Sequence, residues 1–180
     1  MNLNICDIIQ RLMKRCKHMN VDSEQITLDK SLVFAQDQPL ANKNLQECLI
    51  NILGRDKCKV LNVPTRKWVL EYVDNNKVYH LLVRPCTYLG NPHPLYKKRV
   101  QLPLWFNEYT NSINKNNPNI DVRFIGVYHY GDKHHGDNIV FIDFKKDTYL
   151  AKKGHNSSAH IYTNDLFQAM TYGVFTKEDH

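Results

Sequence analysis

Lys97, Lys98 and Arg99 stand in a row directly behind the segment Gly90-Asn91-Pro92-His93-Pro94-Leu95-Tyr96. Adjacent cations attract phosphates, and Asn, His and Tyr beside them can hydrogen-bond or stack on bases, so the chemistry indicated is recognition of a polyanion. No Asp or Glu occurs from Asn75 to Asn107, while Arg84 and Tyr88 extend the same composition upstream. A solvated face normally mixes both signs; here the field is one-sided. Pro92 and Pro94 exclude a regular helix or central strand, which leaves an ordered loop with a basic tip.

A second segment repeats the mixture. Lys145, Lys146, Lys152 and Lys153 are followed by His155, Asn156, Ser157, Ser158 and His160. Lysines neutralise phosphates with salt-dependent affinity, whereas Asn, His, Ser and Arg address base edges or fix register. Two such arms, separated in sequence, are expected to clasp one duplex. Lys97, Lys98, Lys145, Lys146, Lys152 and Lys153 are assigned to phosphates, and Asn91, His93, Arg99, His155, Asn156 and Ser157 to bases. The competing explanation makes the lysines guards of a strand edge against unwanted pairing.

Other chemistries find less support. His129, His134 and His135 lie near Asp132 and Asp137, but no Cys pair or His-Glu-x-x-His pattern accompanies them, and a solvated hairpin loop explains them. No Gly-x-Ser-x-Gly elbow and no Gly-x-x-x-x-Gly-Lys-Ser/Thr loop occurs. One catalytic alternative stands: Asp121 followed by Asp143-Phe144-Lys145 has the order of a restriction-type nuclease site, in which two carboxylates hold magnesium and a lysine activates water. A second alternative is an RNA-binding module that stacks bases on Tyr and Phe. No metal or other cofactor is expected.

The chain has 180 residues, of which 42% are hydrophobic, and carries 24 basic against 18 acidic side chains. It is long enough for one substantial core. Neither a membrane-spanning apolar run nor a signal peptide is evident, so a cytoplasmic protein without membrane attachment is expected. Five irregularly spaced cysteines are expected to remain reduced thiols.

The apolar spacing predicts an amphipathic helix over 3–19 and a second helix from Asn44 to Leu53. From Lys59 the period becomes strand-like. A hairpin is expected between Lys67–Val73 and Lys77–Val83, a peripheral strand over Val100–Phe106, an exposed loop over Ser112–Asn119, and a strand pair from Arg123–Tyr130 and Asn138–Phe144. A polar arm and a closing helix ending at Gly173 follow. The fold class is α+β, divided into an N-terminal helical segment (1–58) packed on a β-barrel domain (59–180).

The order of a basic arm, KKRVQLPLWF, a strand pair, Phe144-Lys145-Lys146, and His155-Asn156-Ser157-Ser158 before Tyr162 resembles the B-three-type DNA-recognition pseudobarrel of plant transcription factors and of EcoRII- and BfiI-type specificity domains. The resemblance covers roughly residues 60–175. The Trp-Gly-Gln-Arg signature of the restriction-enzyme relatives is missing. The whole chain resembles the N-terminal region of McrB-like restriction subunits of the LlaJI type. That resemblance implies an open β-barrel specificity domain of a bacterial restriction–modification subunit, binding double-stranded DNA through the major groove. It places the arms on Arg84–Arg99 and Lys145–His160. It further implies that this chain is not itself an enzyme, that the remainder of the protein is an AAA+ GTPase, and that the partner is an McrC-like nuclease.

Overall fold

The computed structural model describes residues 24–26, 32–34, 39–64, 67–89, 92–94, 96–129, 139–144, 146–150, 156–173 and 176. The helix expected over 3–19 lies outside the described residues. So do Asp132, His134, His135 and Asp137 of the histidine-rich loop, and Asn91, Lys145, Lys152, Lys153 and His155.

A small antiparallel pair, β1 (Glu24–Ile26) and β2 (Leu32–Phe34), precedes helix α1 (Asn42–Leu53). In α1, Leu45 and Leu49 bury one stripe, and the helix ends where Gly54, at φ 105°, donates its N–H to the Ile50 carbonyl. After a 3₁₀ turn come β3 (Cys58–Val63), β4 (Lys67–Asp74) and β5 (Lys77–Tyr88). The β4–β5 turn places Asn75 and Asn76 at φ 51° and 63°, a two-residue hairpin that asparagine tolerates well. The chain continues through β6 (Lys97–Leu102), α2 (Leu104–Asn116), β7 (Ile120–His129), β8 (Ile139–Phe144), the short α3 (Lys146–Leu150), β9 (Ser157–Tyr162) and α4 (Thr163–Tyr172).

Seven strands form one mostly antiparallel sheet. Its main path runs β3-β4-β5-β6-β9, and β7 joins β5 in parallel and carries β8. Residues 78–81 of β5 pair β4 on one side and β7 on the other, whereas Cys86 pairs β6 and β7. β4 and β6 therefore share one edge of β5, and the sheet forks. Among the described residues β3, β8 and β9 each have a single strand partner. The α+β expectation holds, but the expected barrel is corrected to an open, branched sheet.

Both faces are covered. Tyr79, Leu81, Val83, Ile125, Val127 and Phe141 pack with Leu45 and Leu49 of α1. On the opposite face, Leu82, Phe124, Tyr128 and Val140 pack with Phe106 of α2, Leu166 of α4, and Val100 and Ala159 of the β6–β9 pair. Burial on both sides explains why β7 is apolar almost throughout from Val122.

Three local expectations change. Val100–Phe106 is not one strand, since β6 stops at Leu102 and Pro103 leads into α2, whose apolar stripe is Phe106, Tyr109 and Ile113. Much of the expected Asn-rich loop is the polar face of that helix. The polar arm after Phe144 contains α3 and most of β9. No helix among the described residues is long and apolar enough to cross a membrane.

Gly126 fixes how closely the layers approach. A Cβ there would lie 2.7 Å from Val100 Cγ2 and 2.9 Å from Phe144 Cε2, so side chains of β6 and β8 meet over β7 because this position has none. We expect Gly126→Ala to cost about 1–3 kcal/mol by overpacking, measured as a lower midpoint in urea unfolding. An unchanged midpoint would show that Val100 and Phe144 relax freely.

Candidate nucleic-acid interface

Pairing of β6 with β9 joins parts of the two expected arms. Arg99 lies opposite His160, Lys97 opposite Tyr162 and Gln101 opposite Ser158, and Arg99 is also opposite Thr87 of β5. Residues directly opposite share a face, so Thr87, Arg99 and His160 form one row, flanked by the Lys97–Tyr162 and Gln101–Ser158 pairs. The alternate residues Val100, Leu102 and Ala159 are buried in the core. The alternation turns a short ribbon into a polar face backed by an apolar one. Ser157 begins β9 opposite Leu102, partly buried.

The preceding loop is held to this ribbon. His93 is exposed, and the Tyr88 hydroxyl donates to its carbonyl. Lys97 N–H donates to the Pro94 carbonyl at 3.0 Å, and the Tyr96 ring packs on Tyr162 with centroids 6.2 Å apart. Behind the ribbon, Asp165 accepts the Tyr162 N–H at 3.3 Å from the third position of α4. It thus fixes the start of the helix that follows the ribbon.

Several expected contacts are placed elsewhere. Lys98 is 2% exposed, with Nζ 5.9 Å from the Tyr88 ring centroid and 5.8 Å from that of Tyr128. Its ammonium is turned inward, away from any phosphate on the surface. Asn156 accepts the Leu104 N–H at 2.8 Å through Oδ1 and so satisfies the first turn of α2. Arg84 is half-buried, and its Nε is buried without a hydrogen-bond partner.

Lys146 sits by the far end of β7, with Nζ 3.4 Å from Asp121 Oδ1. Asp121 pairs with Tyr79 and Arg99 with Thr87, positions separated by roughly 26 Å along β5 at ~3.3 Å per residue. The expected second arm is therefore split. The candidate contacts read from the sequence did not include Thr87, Gln101 and Tyr162, which the register places beside Arg99 and Lys97. The period-two alternation of Lys97, Arg99 and Gln101 was the available signal for one strand, but not for its neighbours.

The acidic pair proposed for a nuclease does converge, but around a cation. Arg123 donates through Nη2 to Asp121 at 2.9 Å and approaches Asp143 at 3.6 Å through Nη1, while Lys77 lies 3.6 Å from Asp121. Asp143 is 15% exposed, and its Oδ1 is buried without a hydrogen-bond partner. Burial pushes its carboxyl up to about 6, with Asp121 adding to the rise and Arg123 and Lys146 opposing it. No group of three or more His, Cys, Asp or Glu able to hold a metal occurs among the described residues.

Three further groups have structural explanations. Buried His80 lies 3.3 Å from Glu71 through Nε2 and 2.8 Å from the Tyr109 hydroxyl through Nδ1, tying α2 to the β4–β5 hairpin. Burial, then Glu71, raises the Tyr109 phenol above its ordinary value, which disfavours a phenolate nucleophile. Burial likewise pushes the Cys58 thiol up to about 11, so it is not a ready thiolate.

A family model described as methylase-associated X1 matches residues 77–180. The match includes the β5–β6–β9 ladder and the cluster around Arg123. No curated protein and no solved structure matches the chain.

An acid whose pKa is raised on folding holds more protons in the native than in the unfolded state between about pH 4 and 6. Its contribution to stability is therefore greatest below that window and declines as pH rises through it. Asp143→Asn should exceed the parent in stability by on the order of 2 kcal/mol at pH 7, with the difference closing below pH 4 in paired urea melts. A variant less stable than the parent at pH 7 would show that the ion pair outweighs burial. Asn156→Ala should lose about 1 kcal/mol with little change in the salt dependence of any DNA binding, as measured by melts and titrations. Base-specific loss of binding without loss of stability would contradict the capping role.

Proposed function

The chain belongs to the methylase-associated X1 family, a restriction–modification-associated domain, and from that premise we propose that it recognises double-stranded DNA for a restriction–modification system. The observation that carries the reading is the β5–β6–β9 ladder. It aligns Thr87, Arg99 and His160 across three strands and sets Lys97, Gln101, Ser158 and Tyr162 around them. A two-stranded ribbon fits the major groove, where Arg addresses guanine and Ser, Gln or His can read other edges. In this reading Lys97 neutralises phosphate, Arg99 reads bases, and exposed His93 extends the contact from the loop.

Lys98 and Lys146 are not assigned to DNA, since one is enclosed by tyrosines and the other engages Asp121. The B-three-type resemblance is kept for the arm strands only, because the sheet is open. An McrB-like motor in the remainder of the protein, an McrC-like nuclease partner and a cytoplasmic site of action are parts of this proposal. No catalytic role is assigned to this chain. Arg123 occupies the space between Asp121 and Asp143 that a magnesium ion would need, and that geometry favours structural ion pairing over cleavage.

The deciding experiment is a fluorescence titration against randomised and selected duplexes at two salt concentrations. Lys97→Ala should weaken all sequences alike and reduce the slope of log K against log salt by about 0.9, whereas Arg99→Ala should cost about 1–3 kcal/mol at one base position. Absence of duplex binding by the intact chain, or a preference for single-stranded RNA, would overturn the proposal. Magnesium-dependent cleavage abolished in Asp143→Ala would replace it with the nuclease reading.

A further inference from the structure

The loop that presents His93 is fastened at its base. Tyr88 ends β5 and lies opposite Lys98 in the first β5–β6 pair next to the loop. Its hydroxyl donates to the His93 carbonyl, between Pro92 and Pro94. The same ring faces the buried Lys98 ammonium, which also faces Tyr128 in the core. Prolines on both sides of His93 already restrict the backbone, so one hydrogen bond to the intervening carbonyl removes much of the freedom that remains. A buried ammonium between two rings is a fixed point, because moving it either exposes apolar surface or loses the ring contacts.

We infer that Tyr88 and Lys98 are positioning residues for the recognition loop: they set the conformation that presents His93 and do not touch nucleic acid themselves. This inference rests on the DNA-recognition reading and assigns it an internal support. The chain of contacts runs from the core through Tyr128, Lys98 and Tyr88 to the His93 carbonyl, and each step is a single named interaction. A loop ordered before binding loses less entropy when it binds, so the benefit appears as specificity and not as added charge.

Two readouts test it. In Tyr88→Phe, which keeps the ring for Lys98 and deletes only the hydroxyl, amide hydrogen exchange at His93 and Lys97 should accelerate at least about tenfold, while Leu82 and Phe124 amides stay unchanged. In salt titrations with randomised and selected duplexes, Tyr88→Phe and Lys98→Met should keep the parental salt slope and lose about tenfold in the ratio of selected to randomised affinity. Lys97→Ala serves as the phosphate-contact control. Unchanged loop exchange in Tyr88→Phe, or a slope reduced by about one in Lys98→Met, overturns the inference. Should Lys98→Met fail to fold, Tyr88→Phe decides alone. If the parent binds no duplex, the DNA reading fails, while the exchange measurement still decides whether the lock exists.

Discussion

A β-strand has two edges, and β5 serves three neighbours. β7 takes one edge from Val78 to Cys86, so β4 and β6 must divide the other between them. β4 leaves after Leu81 and β6 begins at Cys86, with a gap in which Pro85 sits. Proline cannot donate to a ladder, and Pro85 falls in the stretch of β5 that β7 alone pairs, between the β4 and β6 registers. The fork gives the β6–β9 pair its own place on β5, beside β4, with a polar row along one face.

The β6–β9 pair is tied to the rest of the sheet by its apolar side chains. Val100 and Phe144 close over Gly126, while Phe106 and Leu166 supply helical cover on the same side. The opposite face is sealed by Leu45 and Leu49 of α1. Two cores on one sheet demand apolar residues on both sides of β7, and that demand outweighs the alternation of a half-exposed strand. Buried Lys98 is the one lysine enclosed in this interior among the described residues, and the rings of Tyr88 and Tyr128 make its burial tolerable.

Elements governed by local rules were legible in the sequence. The second helix ends at Leu53 as its spacing and Gly54 indicated, the Asn75-Asn76 turn forms its hairpin, and the closing helix stops at Gly173, φ 81°. α2 was hidden because its exposed side is rich in Asn and Ser, residues that read as loop, and because Pro103 marks a helix start as readily as a strand interruption. The parallel β5–β7 pairing and the fork depend on contacts distant in sequence, to which periodicity is blind. Of the candidate site, the Lys97–Arg99 cations were visible by charge, but the loop tip expected there is the start of β6, and their alignment with Thr87 and His160 needed the register. The intramolecular partners of Asn156 and Lys146 were not legible, because a polar side chain in a basic run looks the same whether it meets a ligand or a neighbour.

Cations near a sheet margin invite the explanation that they only prevent edge-to-edge pairing. That explanation places charge on the marginal strand itself. Beside this ribbon, among the described residues, β9 is the marginal strand, and its outward row is Ser158, His160 and Tyr162, while Lys97 and Arg99 stand one strand further in on β6. Their side chains project from the face of the ribbon and not along its open backbone edge, so they guard that edge poorly. The described ion pairs include neither residue, in contrast to Asp121, which draws Arg123, Lys77 and Lys146. The fold thus neutralises charge with partners at one end of β5 and leaves two cations facing outward at the other. That one-sided arrangement is the physical ground on which the proposed anion-binding role rests.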